Sequence, residues 1–386
     1  EVTATSGEVK TTVTEAVQLP ANIDRELGDL TIKMEPSLAS GMQSGLKYLD
    51  EFPYQCVEQT ISRFLPNIIT LRALDKVGID NAELRNKLPN LVSSGIQRLY
   101  GAQNPDGSWG WWPGEPGDTY ITAYALFGLT VAQREGFAVQ TQVIGKAAAY
   151  LSSYLANNRD VYSPEGPNLR AYILYVLAEA GKGENGTTVA LYERRDSLGR
   201  YGRAYLAMAL FDLNKGLTDS RVKSLIEDIN SSAVASATGV HWEEASSDRN
   251  LMGTNNRTTS VVLDALVRTD PGNLLIPGAV RWLMVSRGEG HWETTQETAM
   301  AIIGLTDYLA MSGELNPDYS YELTLNGKLI GGDKVTRANV NAQNTLSIDV
   351  PSLLNAETNT IRMTRFPSPG EQTMAGKLYY SLYLRY

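Results

Sequence analysis

Cys56 and Gln59 are the side chains whose types and spacing point most directly to chemistry. Cys56 is the only cysteine among the 386 residues and stands three positions before the glutamine. Because residues i and i+3 share one face of a helical turn, the thiol and the carboxamide can meet. Attack of the sulfur on the amide carbon, with loss of ammonia, would give a thioester. Such a bond stores an activated acyl group that an amine, a hydroxyl or water can later accept.

The residues around Cys56 predict that it lies at the N-terminus of a helix. Pro53 keeps Phe52 extended, and an apolar pattern of helical spacing runs over residues 57–68. The unpaired N–H groups of a helix N-terminus would favour a thiolate and polarise an acyl oxygen, by about 0.3–1 kcal/mol for each charge interaction. We also expect Pro66 to kink or restart this helix.

A buried structural thiol is the alternative interpretation of a lone cysteine. However, the run Phe-Pro-Tyr-Gln-Cys-Val-Glu-Gln at 52–59 closely resembles the thioester signature of the alpha-2-macroglobulin and complement family. In that signature an aromatic-Pro-Tyr-Gly lead precedes Cys-x-Glu-Gln, and bacterial members commonly carry an aliphatic residue where Val57 stands. Gln55 replaces the usual glycine and Phe52 a frequent tyrosine. Neither change removes a thioester atom, although Gln55 limits how closely a covering domain can approach.

The resemblance implies a role for each residue of the motif. Cys56 would be the leaving thiolate and Gln59 would supply the acyl carbon. Glu58 and Tyr54 would support the bond, while Phe52 and Tyr54 would shield it from water. The family implies neither a cofactor nor a metal.

The resemblance also implies partners and a place in the cell. In the family, a protease cuts a bait segment of a larger protein, the thioester is uncovered, and the protease is trapped covalently through its lysine amines. The expected partners are therefore target proteases and neighbouring macroglobulin domains. The expected location is extracytoplasmic, either periplasmic or associated with the cell envelope.

A second resemblance-based expectation concerns the acyl acceptor. Complement members that prefer hydroxyl targets carry a histidine in a loop of the helical domain. The corresponding segment, 158–168, contains Tyr162 and no histidine. We therefore expect direct attack by amines.

Composition narrows the possible partners. The net charge is −9 and the pI about 5.0, which argues against nucleic acid and anionic lipid. The sequence has no run of eighteen apolar residues, so it predicts no membrane-spanning helix. The sequence begins at Glu1, with neither an initial methionine nor an apolar signal region. We therefore expect the chain to be a fragment of a longer protein.

The pattern of the chain predicts a mainly α protein with a β domain. Alanine-rich apolar stretches recur at 120–132, 168–180, 204–213, 259–267 and 298–310, and loops with glycine and tryptophan at 106–112, 239–242 and 290–292 precede three of them. This repeated unit indicates helix hairpins closing into an α/α toroid. The resemblance implies the same architecture, since it is that of the family's thioester domain.

Strand patterns occupy both ends of the chain. They are expected at 9–14, 30–34, 319–325, 328–330, 345–350, 360–366 and 377–386, with a hairpin turn at Asn326-Gly327. Because short strand pairs are marginal alone, both ends should join one small antiparallel β-sandwich into which the toroid is inserted. The predicted domains are 1–37, 38–313 and 314–386, and the resemblance implies a CUB-like type for the two β segments.

Two other function classes remain open at this point. The chain could be a toroid enzyme acting on a glycan or an isoprenoid, with Cys56 structural and paired carboxylates doing the chemistry. It could instead be an adhesin that uses its thioester on surfaces. His241 and His291, each followed by Trp and Glu, are better explained as equivalent repeat loops than as a metal pair. The candidate carboxylates are Asp118, Glu165, Glu243, Glu244 and Glu297.

Overall fold

The chain folds into two compact units. The computed structural model describes residues 2–386 except 21–26, 158–165, 217–218, 237, 245–251, 289, 343, 354–357, 369 and 371–372. One unit, called the β unit, comprises residues 1–43 and 312–386, and the other, called the helical unit, comprises residues 44–311. The domain limits 1–37, 38–313 and 314–386 and the CUB-like type stay predictions.

The strands are numbered in chain order. They are β1 (Val2–Glu8), β2 (Thr12–Val17), β3 (Asp29–Glu35), β4 (Val234–Ser236), β5 (Gly239–His241), β6 (Tyr319–Leu325), β7 (Lys328–Val335), β8 (Asn344–Asp349), β9 (Asn359–Pro367) and β10 (Tyr379–Arg385). Strands β4 and β5 form a short hairpin in the helical unit, and the other eight belong to the β unit.

The β unit is an antiparallel sandwich of two four-stranded sheets. One sheet has the order β1-β10-β3-β8 and the other β2-β9-β6-β7. Leu30 and Ile32 of the first sheet and Tyr319 and Tyr321 of the second belong to one buried core. Side chains alternate across each pleated strand, so this shared core needs both ends of the chain. The predicted sandwich is confirmed.

The structure agrees with the predicted hairpin turn of this sandwich and differs from the predicted position of one strand. Asn326 and Gly327 connect β6 to β7 with φ of 51° and 81°, as a type I′ turn requires. The strand predicted at 9–14 was correct only for residues 12–14, which begin β2, because residues 9–11 connect β1 to β2. Val9 is fully buried there, so its apolar character reflects the core rather than a strand.

Twelve α-helices lie in the described chain. They are α1 (Leu38–Glu51), α2 (Val57–Lys76), α3 (Ala82–Ala102), α4 (Thr119–Arg134), α5 (Thr141–Asn157), α6 (Gly166–Glu179), α7 (Asn185–Tyr192), α8 (Arg200–Leu213), α9 (Ser220–Ser231), α10 (Asn255–Thr269), α11 (Ile276–Val285) and α12 (Thr295–Ser312).

Six alternate helices, α2, α4, α6, α8, α10 and α12, form a closed ring, called the inner ring. From α2 to α10 each packs on the next, and α12 closes the ring through contacts with α10 and α2. A Cβ at Gly304 of α12 would lie 2.8 Å from the carbonyl of Ser260 on α10. On the other side, the Thr306 and Thr70 hydroxyls are 3.4 Å apart, joining α12 to α2. The five predicted apolar stretches are the inner helices other than α2, and helices apolar all round are buried. The predicted α/α toroid is confirmed.

The tryptophan loops tie outer helices to inner ones in the same way three times. The indole N–H of Trp109, Trp242 and Trp292 donates to a carbonyl in the preceding outer helix, at 2.8, 2.8 and 3.1 Å. Each tryptophan backbone N–H also donates to a threonine hydroxyl of the following inner helix. This supports the repeat-loop interpretation of His241 and His291.

Helix α2 passes through Pro66 without a break from Val57 to Lys76. The prediction that the helix restarts there was wrong. A proline removes one intrahelical hydrogen bond, and the buried side chains on both sides of Pro66, Leu65 and Asn67 among them, hold the helix together.

Candidate functional site

Cys56 is the N-cap of α2. Its backbone is extended, with φ −64° and ψ 175°, and its carbonyl accepts from the Thr60 N–H at 2.9 Å and the Thr60 hydroxyl at 2.8 Å. The free thiol is buried, with 5% of the residue exposed. The predicted placement of Cys56 at a helix start is therefore confirmed.

Cys56 and Gln59 cap the helix reciprocally. The backbone N–H of Gln59 donates to Cys56 Sγ at 3.5 Å, and the backbone N–H of Cys56 donates to Gln59 Oε1 at 3.1 Å. This is the geometry of a capping box, with Cys in place of Ser or Thr and Gln at the third helical position. The capping box folds the carboxamide back towards the residue that carries the thiol.

Burial raises the pKa of the Cys56 thiol. Desolvation is the largest cause and the nearby charge of Glu58 adds to it, while hydrogen bonds from backbone N–H groups at the helix start oppose it. The expectation that the helix N-terminus would favour a thiolate was wrong in its net direction, because the loss of hydration outweighs the helix charge.

Glu58 points into the helical unit and not towards solvent. Only 2% of the residue is exposed, and its carboxylate oxygens accept from Ser62 Oγ at 2.5 Å and Thr295 Oγ1 at 2.9 Å. Burial is the largest cause of its raised pKa. Glu58 thus joins the first turn of α2 to the first residue of α12, so any support it gives to the bond is exerted through the helix.

An aromatic cluster leads up to the motif. The ring of Phe52 meets Tyr48 edge-on at 5.5 Å and Tyr54 at 6.1 Å, and Tyr48 stacks on His291 at 3.9 Å. Phe52 is half-buried, whereas Tyr54 is 63% exposed. Tyr54 is thus the more exposed of the two aromatic residues, and the shielding roles of Phe52 and Tyr54 stay predictions.

The loop before α4 also reaches the motif. The carbonyl of Trp111 accepts from the backbone N–H of Val57 at 3.0 Å, and the Trp111 indole donates to Asp118 at 3.2 Å. Sequence reasoning assigned this loop only a structural role. Tyr48 was missed because no motif marks it, although it lies four residues before Phe52 and contacts that ring. Thr295 was missed because only the closed ring brings it near α2.

Two of the five candidate carboxylates of the enzyme alternative, Asp118 and Glu244, cap helices. Asp118 accepts from the Ile121 N–H at the start of α4. Glu244 accepts from the first backbone N–H groups of α8, at 3.1 Å each. Glu297 accepts from Asn256, Glu243 pairs with His241, and Glu165 lies outside the described residues, as does the predicted loop with Tyr162 up to residue 165.

A cavity of about 600 Å3 opens at the C-terminal halves of the inner helices, away from Cys56. Its charged lining is largely paired: Arg268 bonds Glu179 at 2.6 Å, and Arg72 contacts Asp307 at 3.5 Å. Across the described residues, no group of three or more His, Cys, Asp or Glu side chains is arranged to hold a metal. In the same part of the chain, no helix is long and apolar enough to cross a bilayer.

Comparison with known proteins finds a family whose description matches part of this chain. Residues 29–163 match the family described as the A-macroglobulin TED domain. The alpha-2-macroglobulin of Thermotoga maritima is 32% identical over 123 residues, which cover 32% of this chain and 8% of that protein. Thioester-containing protein 1 allele R1 of Anopheles gambiae is 23% identical over 330 residues, which cover 80% of this chain and 24% of that protein. The chain thus spans at most about a quarter of these relatives.

A solved structure shares the fold over the whole chain. Salmonella alpha-2-macroglobulin reacted with methylamine matches with a TM-score of 0.67 and 19% identity, covering 100% of this chain and 24% of that one. At this identity the likeness concerns the fold alone. Together with the family match, it confirms the resemblance that the motif indicated.

Proposed function

The chain contains a relative of the thioester domain of alpha-2-macroglobulins, and from that premise we propose that Cys56 and Gln59 form an internal thioester. The bond would be spent once, by acylating a lysine amine of an attacking protease. One observation carries the proposal: the reciprocal hydrogen bonds that hold the Gln59 carboxamide against Cys56. The chain would therefore be part of a protease inhibitor and not a turnover enzyme.

Both steps of this chemistry balance. In the first, Cys56 Sγ bonds to the Gln59 side-chain carbon, the C–N bond breaks, and ammonia leaves with the thiol proton. In the second, an amine attacks the same carbon, the C–S bond breaks, and an amide forms. The departing thiolate of Cys56 then takes up the proton that the amine loses.

The backbone N–H of Cys56 is the group placed to assist both steps. It lies 3.1 Å from Gln59 Oε1, the oxygen that becomes the acyl oxygen of the thioester. A donor at this distance polarises the carbonyl and stabilises the oxyanion that forms when a nucleophile adds. Because this donor belongs to the backbone, its position depends on the helix cap and not on a side-chain rotamer.

The surroundings of the thiol favour storage of the bond. Cys56 is buried, which limits attack by water. Desolvation also raises its thiol pKa, and a thiolate that is harder to form leaves less readily. Exposure of the site would remove both the exclusion of water and the raised thiol pKa. A change in what covers Cys56 would therefore start the acyl transfer.

The activity of the whole protein is a proposal of the same kind. We place the chain in a longer, extracytoplasmic protein, periplasmic or associated with the cell envelope, in which neighbouring macroglobulin domains cover the thioester until a protease cuts a bait segment. Amines are the proposed acceptors. The Salmonella relative of the same fold was reacted with a small amine, methylamine.

A fluorescent primary amine tests the chemistry on this chain. We expect it to be incorporated at Gln59, as mapped by peptide mass, with one thiol released for each label. Gln59→Glu should abolish labelling, whereas the matched variant Gln55→Glu should be labelled normally. Incorporation that survives in Cys56→Ala would contradict the proposal. Transfer to surface polysaccharide at the same rate as to amines, with no protease involved, would favour the adhesin alternative.

A further inference from the structure

Arg257 is a buried cation with no salt-bridge partner among the described residues. It lies in the first turn of α10, and only 1% of the residue is exposed. Within the part of the chain that the structure describes, its Nε and Nη1 have no hydrogen-bond partner, and it forms no salt bridge. Buried charges are normally paired, because an unpaired one loses its hydration without compensation.

Tyrosines of three neighbouring inner helices surround this guanidinium. It lies over the ring of Tyr201 at 4.7 Å and that of Tyr120 at 5.7 Å. The rings of Tyr120 and Tyr172 are 5.5 Å apart, and those of Tyr172 and Tyr205 are 4.8 Å apart. The rings offer cation–π contacts but accept no N–H in the guanidinium plane.

The hydroxyls of this cluster are unpartnered as well. Among the described residues, the hydroxyl groups of Tyr120, Tyr172 and Tyr205 are buried with no hydrogen-bond partner. Burial is the largest cause of the raised pKa of Tyr120 and of Tyr205, and it outweighs the opposing effect of the neighbouring Arg257 side chain. These hydroxyls therefore stay neutral and keep a proton to donate. Together they offer neutral O–H donors beside one permanent positive charge.

In the described part of the chain, the carboxylates Glu244 and Glu58 near this cluster are held by other hydrogen-bond donors. Burial raises the pKa of Glu244, and the charge of Arg257 is a smaller, opposing effect. The two oxygens of Glu244 already accept from the backbone N–H groups of Arg200 and Tyr201. Glu58 is likewise occupied by Ser62 and Thr295.

The helix ends at this cluster carry partial positive charge, the same sign as the charge of Arg257. Tyr120, Tyr201 and Arg257 stand in the first turns of α4, α8 and α10. The partial positive charges of these three N-termini therefore lie close to the guanidinium. Donors and positive potential converge inside the ring, and this combination is complementary to an anion.

We propose that the inner ring binds one small monovalent anion, of the size of chloride, between the guanidinium of Arg257 and the hydroxyls of Tyr120, Tyr172 and Tyr205. All four side chains are buried, with at most 3% of each residue exposed, which limits the occupant to a monatomic ion or a single water. The anion supplies the missing counter-charge and links α4, α6, α8 and α10. This site is independent of the proposed thioester chemistry.

Bromide gives a direct test. Crystals of the chain grown with bromide in place of chloride are expected to show an anomalous peak within hydrogen-bond distance of Arg257 Nε or Nη1. Density at that point without anomalous signal would mean that water fills the polar space, and it would overturn the proposal.

Chloride titration in solution tests the same site with variants. At constant ionic strength, with gluconate as the replacing anion, the Tm of the chain should rise with chloride concentration. Arg257→Met should remove this dependence and Tyr172→Phe should weaken it. The matched control is Tyr175→Phe on the same helix, because the Tyr175 hydroxyl already accepts from Arg268 at 2.8 Å.

The control should keep the chloride dependence. If Arg257→Met fails to fold, the comparison of Tyr172→Phe with Tyr175→Phe decides alone. Equal chloride dependence in those two variants, or none in the unaltered chain, would contradict the proposal.

Discussion

The Thr295 hydroxyl donates to Glu58 Oε2 at 2.9 Å, joining the first residue of α12 to the helical turn that begins at Cys56. The two residues are 237 positions apart in sequence. The turn that would carry the thioester is therefore held by the closure of the inner ring, and not by local sequence alone.

Loss of this bond should destabilise the ring. In Thr295→Val, Glu58 loses one of two hydrogen-bond donors in a buried setting, which should cost about 1–3 kcal/mol in the free energy of unfolding. Urea unfolding measures this. Thr295→Ser keeps the hydroxyl and should fall within about 1 kcal/mol of the unaltered chain. Equal losses in both variants would show that packing, and not the hydrogen bond, matters here.

Two substitutions at Cys56 should separate the chemistry from the cap. Serine is a favoured N-cap residue, so Cys56→Ser should retain stability, while Cys56→Ala should lose about 1 kcal/mol. Both should abolish amine incorporation at Gln59. Urea unfolding and amine labelling, run on the same samples, check the two effects. A Cys56→Ser variant that unfolds as readily as Cys56→Ala would contradict the capping role of this position.

The aromatic residues of the motif should differ in their effect on the thioester. Phe52 is half-buried against Tyr48, so Phe52→Ala should open the approach to Cys56, speed thioester hydrolysis and lower stability by about 1 kcal/mol. Tyr54→Ala should leave the hydrolysis rate and the stability nearly unchanged in this chain, since the Tyr54 ring is exposed. The rate of thiol appearance in buffer measures hydrolysis. Faster hydrolysis in Tyr54→Ala than in Phe52→Ala would contradict this assignment.

A buried carboxyl should make the β unit sensitive to pH. Burial raises the pKa of Glu314 from 4.5 to about 7, against opposing hydrogen bonds from the Leu38 N–H and the Tyr379 hydroxyl. Because the folded state holds this proton more tightly, the associated stability is complete below pH 4.5 and is lost as the pH rises through 7. The difference between these two pKa values corresponds to about 3 kcal/mol in the free energy of unfolding.

The Glu314→Gln variant should not lose this stability as the pH rises. Urea unfolding of the unaltered chain and the variant between pH 4.5 and 8 gives the difference, with Glu322→Gln on the exposed side of β6 as the matched control. Parallel curves for the unaltered chain and Glu314→Gln would contradict the role given to Glu314.

Local patterns predicted the elements and the motif well. The five apolar stretches became inner helices because a helix buried on all sides needs apolar residues all round. The Asn326-Gly327 turn was predictable because it needs positive φ at both positions. The approach of Gln59 to Cys56 was predictable from their spacing, whereas the reciprocal capping bonds were not predicted.

The failures share a cause, which is tertiary context. Pro66 does not end α2, because buried neighbours on both sides hold the helix. The Cys56 pKa moves up, because burial outweighs the helix charge. The contacts of Glu58 with Thr295 and of Tyr48 with His291 join distant segments, and the outward direction of Tyr54 depends on how the chain turns before α2. No local pattern carries this information.

The intact mass of freshly purified protein, measured with a titration of the Cys56 thiol before and after methylamine, tests the thioester most directly. We predict a mass lower than that of the sequence by one ammonia, and no free thiol. After methylamine, the mass should rise by one methylamine and one thiol should appear. A full sequence mass with a free thiol and an intact Gln59 amide, unchanged by methylamine, would contradict the central claim.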